Sequence, residues 1–250
     1  MLKAVILTLN EERHIANCIE SLRWIDSIVV LDSFSTDATV NIARQAGAEI
    51  IQHSFENYSQ QRNVALDAVK SDWIFFVDAD ERATPTLADE VCHVITTEGK
   101  VGWWVPRHNY IFGHRMRGSG WRPDYQLRLL RREHARYDPS RAVHEVAMLD
   151  GSEGYLQESL IHYNYETLQH FIDKQRRYSD YDAGILFEKG IRPKIYTPYT
   201  QALRHIWWRF ITHNGWRDGI YGILLASLMG YYEMVKYRKA RCLWKATDQM

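Results

Sequence analysis

Two aspartates one residue apart, Asp78 and Asp80, flank Ala79 and close the apolar run Trp73-Ile74-Phe75-Phe76-Val77. Carboxylates at that spacing on a strand end can share a hard divalent cation and leave coordination sites for phosphate oxygens. The same three residues can equally form an ordinary acidic turn that caps a helix. Asp32 ends a second apolar run, Ser27–Leu31, where a carboxylate can accept from a nucleobase N–H or a ribose hydroxyl. Asp37 follows shortly after and also suits the first turn of a helix, where the dipole favours an acid. Arg62, in Gln60-Gln61-Arg62-Asn63, presents a planar fork that fits a diphosphate. The chemistry these residues suggest is the handling of a nucleotide and its phosphates.

The elements that must position them read as strand–helix repeats. Leu2–Leu9, Ser27–Leu31, Ala48–Gln52 and Trp73–Val77 are β-type runs, and helical spacing follows each of them. Asn10 before Glu11-Glu12 reads as the cap of the first helix. Four such repeats with short links predict a parallel sheet covered on both faces, with ligands at the carboxyl ends of its strands. Asn10, Asp32 and Asp78 fall at those ends. Val101–His108, Tyr125–Arg132 and Val143–Leu149 read as further strands, and residues beyond 165 as helices over Leu168–Glu188, Tyr199–Thr212 and Arg217–Arg241. The expected division is 1–165, with a nucleotide half up to 100 and an acceptor half after it, followed by a helical tail, 166–250.

Composition narrows the class. The chain has 250 residues, 46% apolar and 25% charged with net charge 0, which excludes a disordered or coiled-coil protein. Its three cysteines, Cys18, Cys92 and Cys242, are far apart, so a disulfide scaffold or a cysteine zinc site is not expected. The charges are segregated: residues 1–100 hold 8 Lys+Arg against 16 Asp+Glu, and residues 101–250 hold 23 against 15. The acidic N-terminal half and the absence of RNA-binding signatures argue against nucleic acid.

In this order the motifs resemble the family 2 glycosyltransferases, in particular the subgroup of lipopolysaccharide inner-core β-1,4-glucosyltransferases. The matching words are Leu9-Asn10-Glu11-Glu12, Val30-Leu31-Asp32-Ser33, Gln61-Arg62 and Asp78-Ala79-Asp80-Glu81-Arg82. Gly120-Trp121-Arg122-Pro123-Asp124, Arg128-Leu129-Leu130-Arg131-Arg132 and Val143-His144-Glu145 follow. The resemblance implies a GT-A fold, a Rossmann-like α/β architecture for nucleotide-diphospho-sugars, with a C-terminal helical extension. It implies an inverting transferase using a nucleotide-sugar donor and Mg2+ or Mn2+. Leu9, Asn10, Glu11, Asp32, Arg62, Asp78 and Ala79 would bind the donor, and Asp80 with Asp78 the metal. Arg128 and His144 would meet acceptor or phosphate. Glu145 is the favoured base and Asp124 its alternative; His162 reads as a core or supporting residue. A nucleotidyltransferase, the rival enzyme class, would carry a Gly-rich basic loop after the first strand, where Asn10-Glu11-Glu12 stands. A non-catalytic nucleotide-sugar binder is the other alternative, and the intact Asp78, Asp80 and Glu145 speak against it.

The tail suggests a surface. Residues 192–250 carry 10 Lys+Arg against 3 Asp+Glu and include Trp207, Trp208, Trp216 and Trp244. The uncharged stretch Gly219–Tyr232 is 14 residues long, short of the roughly 20 needed to span a bilayer. Aromatic, basic helices of this kind predict attachment to an anionic membrane surface without crossing it. With no signal peptide expected at the N-terminus, the predicted location is the cytoplasmic face, beside a lipid-linked or lipopolysaccharide-type acceptor.

Overall fold

A computed structural model of the chain describes residues 1–138 and 147–247. The chain divides into two compact units, Met1–His108 with Asp124–His162, and Asn109–Pro123 with Tyr163–Met250. The segment 109–123, placed with the catalytic body from the sequence, is grouped with the helices.

The first unit opens with β1 (Leu2–Thr8), α1 (Ile15–Ser21), β2 (Ser27–Asp32), α2 (Thr39–Gln45), β3 (Glu49–Gln52), α3 (Tyr58–Ala68) and β4 (Trp73–Asp78). The four strands are parallel in the order β3-β2-β1-β4, so Leu7 stands beside both Leu31 and Asp78. Both faces of this sheet are buried, as continuous apolar strands require. Ala4, Ile6, Phe75 and Val77 pack into one core with Ile15, Ile19 and Leu22 of the α1 region. The alternate residues Val5, Ile74 and Phe76 pack into another with Ala65 and Leu66 of α3. Burial of each large side chain contributes about 1.5–3 kcal/mol.

Next come β5 (Glu81–Arg82), α4 (Pro85–Val94), β6 (Gly102–Ile111), β7 (His114–Arg115), β8 (Tyr125–Arg131) and β9 (Ala135–Tyr137). The last strands are β10 (Ala147–Leu149), β11 (Glu153–Tyr155) and β12 (Leu160–Tyr165). β8 lies antiparallel on β4, and β6 antiparallel on β8, which turns a parallel sheet into a mixed one. β12 returns to pair with β5, setting His162 opposite Glu81. Of the strand expected over Val143–Leu149, the part before Ala147 lies outside the described residues.

The second unit contains α5 (Leu168–Glu188), α6 (Thr197–Trp207) and α7 (Gly219–Thr247). Thr167 caps α5 by accepting from the His170 N–H at 3.1 Å. The single helix expected over Tyr199–Thr212 ends as α at Trp207 and continues as a π turn, Trp208–Thr212, before a 3-10 turn at Gly215–Asp218. Phe171, Tyr165, Ile111, Met116, Leu225 and Tyr232 form this unit's core. α7 approaches its neighbours along small residues one turn apart, Gly222, Ala226 and Gly230, all buried. A Cβ on Gly222 would lie 1.9 Å from the Gly215 carbonyl oxygen, and one on Gly230 would lie 2.4 Å from Ile206 Cγ1. Among the described residues no helix is long and apolar enough to cross a membrane.

The seam sets a test of packing. Gly222→Ala drives a methyl into backbone and should destabilise by about 1–3 kcal/mol. Gly184→Ala, on α5 with open space around the new Cβ, should instead stabilise by about 0.5–1 kcal/mol. Urea unfolding of the two variants checks the contrast.

Candidate active site

The loops that follow β1 and β2 are braced against each other. Asn10 Oδ1 accepts from the Thr36 N–H at 2.8 Å, while the Asn10 N–H donates to Ser35 Oγ at 2.9 Å. The Glu11 N–H donates to Thr39 Oγ1 at 2.7 Å, and the Glu12 N–H to Asp37 Oδ2 at 3.2 Å. Glu12 returns the contact by accepting from the Ala38 N–H at 3.1 Å. Asn10 therefore does not cap α1, whose N-cap position is His14 without a side-chain bond. Its backbone is left-handed, φ 57°, a conformation Asn tolerates better than most residues, and its amide is spent across the loops. Asp37 likewise spends its carboxylate on Glu12 and Thr39. Leu9 and Phe34 are left exposed at this rim. Phe34, an aromatic face beside Asp32, was not singled out from the sequence.

Asp32 is fully buried and accepts from the Ser35 N–H at 3.0 Å, from Gln52 Nε2 at 3.0 Å and from Thr8 Oγ1 at 3.3 Å. The Ser35 hydroxyl donates to it as well. In this arrangement it shapes the β2–α2 loop. On α3, Asn57 caps the helix through the Gln60 N–H at 2.9 Å, which orients the next two side chains. Gln61 Nε2 donates to Ser33 Oγ at 2.9 Å, and Gln61 Oε1 lies 2.7 Å from His53 Nδ1. Arg62 lies over the Phe76 ring at 5.0 Å and the Tyr137 ring at 5.7 Å, with Nη2 3.7 Å from Asp78 Oδ1. α3 is tied to β9 by Asn63, which donates to the Tyr137 carbonyl and accepts the Tyr137 N–H.

Asp78 starts a chain of alternating charges. Arg128 donates to both of its oxygens and, at 2.9 Å, to Glu81 Oε1. Glu81, with no exposed surface, also accepts from Arg107 Nη1 at 3.1 Å and from the Asp78 N–H at 2.9 Å. Arg107 ends the chain on Asp124, with Nε and Nη2 at 2.9 and 3.1 Å from its two oxygens. Burial alone would raise the Asp78 pKa, but the Arg128 and Arg62 guanidiniums outweigh it and hold the carboxyl well below the usual range. Arg128 is correspondingly held above its ordinary value by Asp78 and Glu81, against the pull of burial. Asp124 also accepts from Gln126 Nε2 at 2.9 Å.

Asp80 turns the other way. Its Oδ2 lies 3.3 Å from His162 Nε2, which β12 brings into place. Two ligands of one cation at about 2.1 Å and right angles are separated by about 3 Å, so this pair fits two positions of a small divalent ion. Asp78 does not present a comparable pair, because Arg128 holds both of its oxygens. Among the described residues no three His, Cys, Asp or Glu groups converge on one point, so phosphate and water would complete such a shell. Ala79 is buried between the two aspartates, and its carbonyl accepts from Arg82 Nη1 at 2.7 Å. Cys18 lies beneath this turn with Sγ 3.5 Å from the Asp78 carbonyl, its thiol pushed up by burial. The structure thus gathers Arg62, Asp78, Asp80 and Arg128 around the end of β4, with Asp124 joined to them through Arg107 and Glu81. Glu145 and His144 lie outside the described residues. Sequence reasoning gave no role to Glu81 or Arg107 and left His162 as a supporting residue; the one signal was the Glu81-Arg82 pair directly after Asp80.

The profile of glycosyl transferase family 2 matches residues 4–160, and the chain belongs to that family. It is a glycosyltransferase, with the α/β core and C-terminal helical extension the sequence predicts. A lipopolysaccharide core biosynthesis glycosyltransferase of Rhizobium meliloti, LpsC, is 34% identical over 95% of this chain and 91% of its own length. An uncharacterized glycosyltransferase of Rickettsia bellii is 27% identical over 84% of this chain and 74% of its own. Among solved structures, glucosyl-3-phosphoglycerate synthase of Mycobacterium tuberculosis with Mn2+, UDP and phosphoglyceric acid superposes with a TM-score of 0.49. It is 19% identical over 78% of this chain and 80% of that one.

Glu81 allows a direct test of the charge chain. Glu81→Gln leaves Arg107 and Arg128 short of a buried negative charge and should cost about 3–5 kcal/mol, read by urea unfolding. Asp78 sets a pH dependence. The unfolded carboxyl titrates near its ordinary 3.8 and the folded one lower, so its stabilisation is complete above pH 3.8 and is lost as pH falls below it. Melting temperatures of wild type and Asp78→Asn, compared from pH 6 to pH 2.5, should converge on the acid side.

Proposed function

We propose that the protein transfers a hexose from a nucleotide-sugar donor to a lipopolysaccharide-core acceptor with inversion at the anomeric carbon. The observation that carries the reading is the Asp80–His162 pair, 3.3 Å apart at the end of β4, beside the Arg62–Asp78–Arg128 cluster. A site that accepts a nucleoside diphosphate as leaving group needs fixed positive charge where its negative charge grows. The name of the LpsC relative supports a lipopolysaccharide-core acceptor.

In this mechanism the braced loops at Leu9–Glu11 and Asp32–Thr39 form the nucleoside end of the donor site. Asp32 acts by holding its loop, and Phe34 offers a face for a base. Asp80 and His162 would hold Mg2+ or Mn2+, and the ion would supply positive charge for the diphosphate. Arg62 and Arg128 keep Asp78 ionised and add fixed positive charge near the same phosphates. The bond from the anomeric carbon to the diphosphate oxygen breaks as the acceptor hydroxyl oxygen bonds to the opposite face of that carbon. The hydroxyl proton passes to a carboxylate on the acceptor side. Glu145 is assigned that role because Asp124 already has both oxygens on Arg107.

Three outcomes follow. Excess chelator should abolish transfer, and full activity in chelator overturns the metal reading. His162→Ala should weaken Mn2+ binding in the presence of a nucleoside diphosphate by at least tenfold, measured by calorimetry. Glu145→Gln should lower the transfer rate by about 10²–10⁴ with donor affinity nearly unchanged. A panel of nucleotide sugars, scored for hydrolysis and for transfer to lipopolysaccharide core, identifies the donor. An inactive Asp124→Asn beside an active Glu145→Gln would exchange the two carboxylates.

A further inference from the structure

The helical unit leaves a set of large apolar side chains uncovered within one short stretch of chain. Leu203 is 68% exposed, Trp207 64%, Trp216 58% and Ile220 73%, and Trp208, Ile211, Ile223 and Leu224 are also exposed. They run from the last turns of α6, through the π turn and the 3-10 turn, into the first turns of α7. Gly222 lies against Gly215, and Gly230 against Ile206 and Ala202, so the elements that carry the exposed residues pack on one another. On α7 the exposed positions Ile220, Leu224 and Tyr231 recur at helical spacing opposite the buried Gly222–Ala226–Gly230 seam. Leu228, which the sequence pattern places in the same stripe, instead packs against this unit's core.

Among residues 192–247 the exposed charges are of one sign. Arg204 and Arg217 are exposed on this turn. Both acids of residues 192–247, Asp218 and Glu233, are neutralised inside the unit. Asp218 is buried and accepts from the Arg117 and Gly118 N–H groups at 2.6 and 2.9 Å. Glu233 pairs with Lys236 at 2.8 Å and His205 at 3.4 Å. By clamping residues 117–118, Asp218 also fixes exposed Arg117 beside the same turn. Arg209 is partly buried: its Nη1 donates to the Ser119 carbonyl at 2.6 Å, and burial pulls its pKa down to about 10.

We propose that the 203–224 turn is a membrane dock whose occupant is the headgroup–acyl boundary of an anionic lipid leaflet. Tryptophan and branched aliphatic side chains enter the interface while Arg204, Arg217 and Arg117 stay with the lipid phosphates. A second copy of this chain is the poorer occupant, because it would bring the same arginines together, and neither acid among residues 192–247 is exposed to pair them. The proposal extends beyond the transfer chemistry and stands independently of it, since donor hydrolysis is measured in solution and docking on vesicles.

The experiment is co-sedimentation of the full chain with vesicles of phosphatidylcholine alone or with 30% phosphatidylglycerol, at 0.05 and 0.5 M salt. The expected result is binding to the anionic vesicles that weakens at least tenfold in high salt. A Trp216→Ser/Ile220→Ser double variant, altered only at exposed positions, should lose at least tenfold in vesicle affinity. Its melting temperature and donor hydrolysis should match wild type. Phe55→Ser, at an exposed aromatic of the other unit, is the control and should bind as wild type does. Undiminished binding of the double variant, or no binding to either vesicle, overturns the dock. Concentration-dependent self-association that the double variant abolishes would assign the face to a second copy instead.

Discussion

Glu81 is a fully buried carboxylate between two guanidiniums, and the geometry of the candidate site depends on it. A charge with no contact with water is tolerated only when opposite charges and N–H donors meet it. Arg107, Arg128 and the Asp78 N–H satisfy that requirement and arrive from β6, β8 and the end of β4. Meeting it therefore fixes how the antiparallel strands seat against the parallel ones. It also decides what Asp78 does. Arg128 donates to both Asp78 oxygens, so Asp78 holds a cationic side chain in the site, while Asp80 lies beside His162.

The loops after β1 and β2 are built on a second principle. Loops at the carboxyl ends of parallel strands have no sheet partners, and their N–H groups need acceptors. Here each loop supplies the other: Asn10 and Glu12 accept from the β2–α2 loop, while Ser35, Asp37 and Thr39 accept from the β1–α1 loop. Most of the polar residues in these two motif words are consumed in this brace. The result is a rim with Leu9 and Phe34 exposed. The helical unit repeats the logic with Asp218, whose carboxylate stands in for missing backbone partners at residues 117–118.

By itself, the sequence determined β1, β2, β4 and the doubly covered sheet, because apolar runs such as Ala4–Leu7 and Trp73–Val77 bury both faces and can do little else. It located Asp78 and Asp80 at a strand end, the long helix Leu168–Glu188, and the membership in glycosyl transferase family 2 through motif order. These signals are local, carried by residues within a few positions of each other. Tertiary structure decided the rest. Asn10 reads locally as a cap, yet its partner is Thr36, which only the pairing of β1 with β2 brings near. Asp78 and Asp80 look equivalent in the sequence, and they differ because Arg128 and His162 arrive on different strands. Residues 109–123 read as part of the body, while Asp218, about a hundred positions away, holds their backbone. A buried charge chooses its partner by proximity in space, and no periodicity in the chain records that choice.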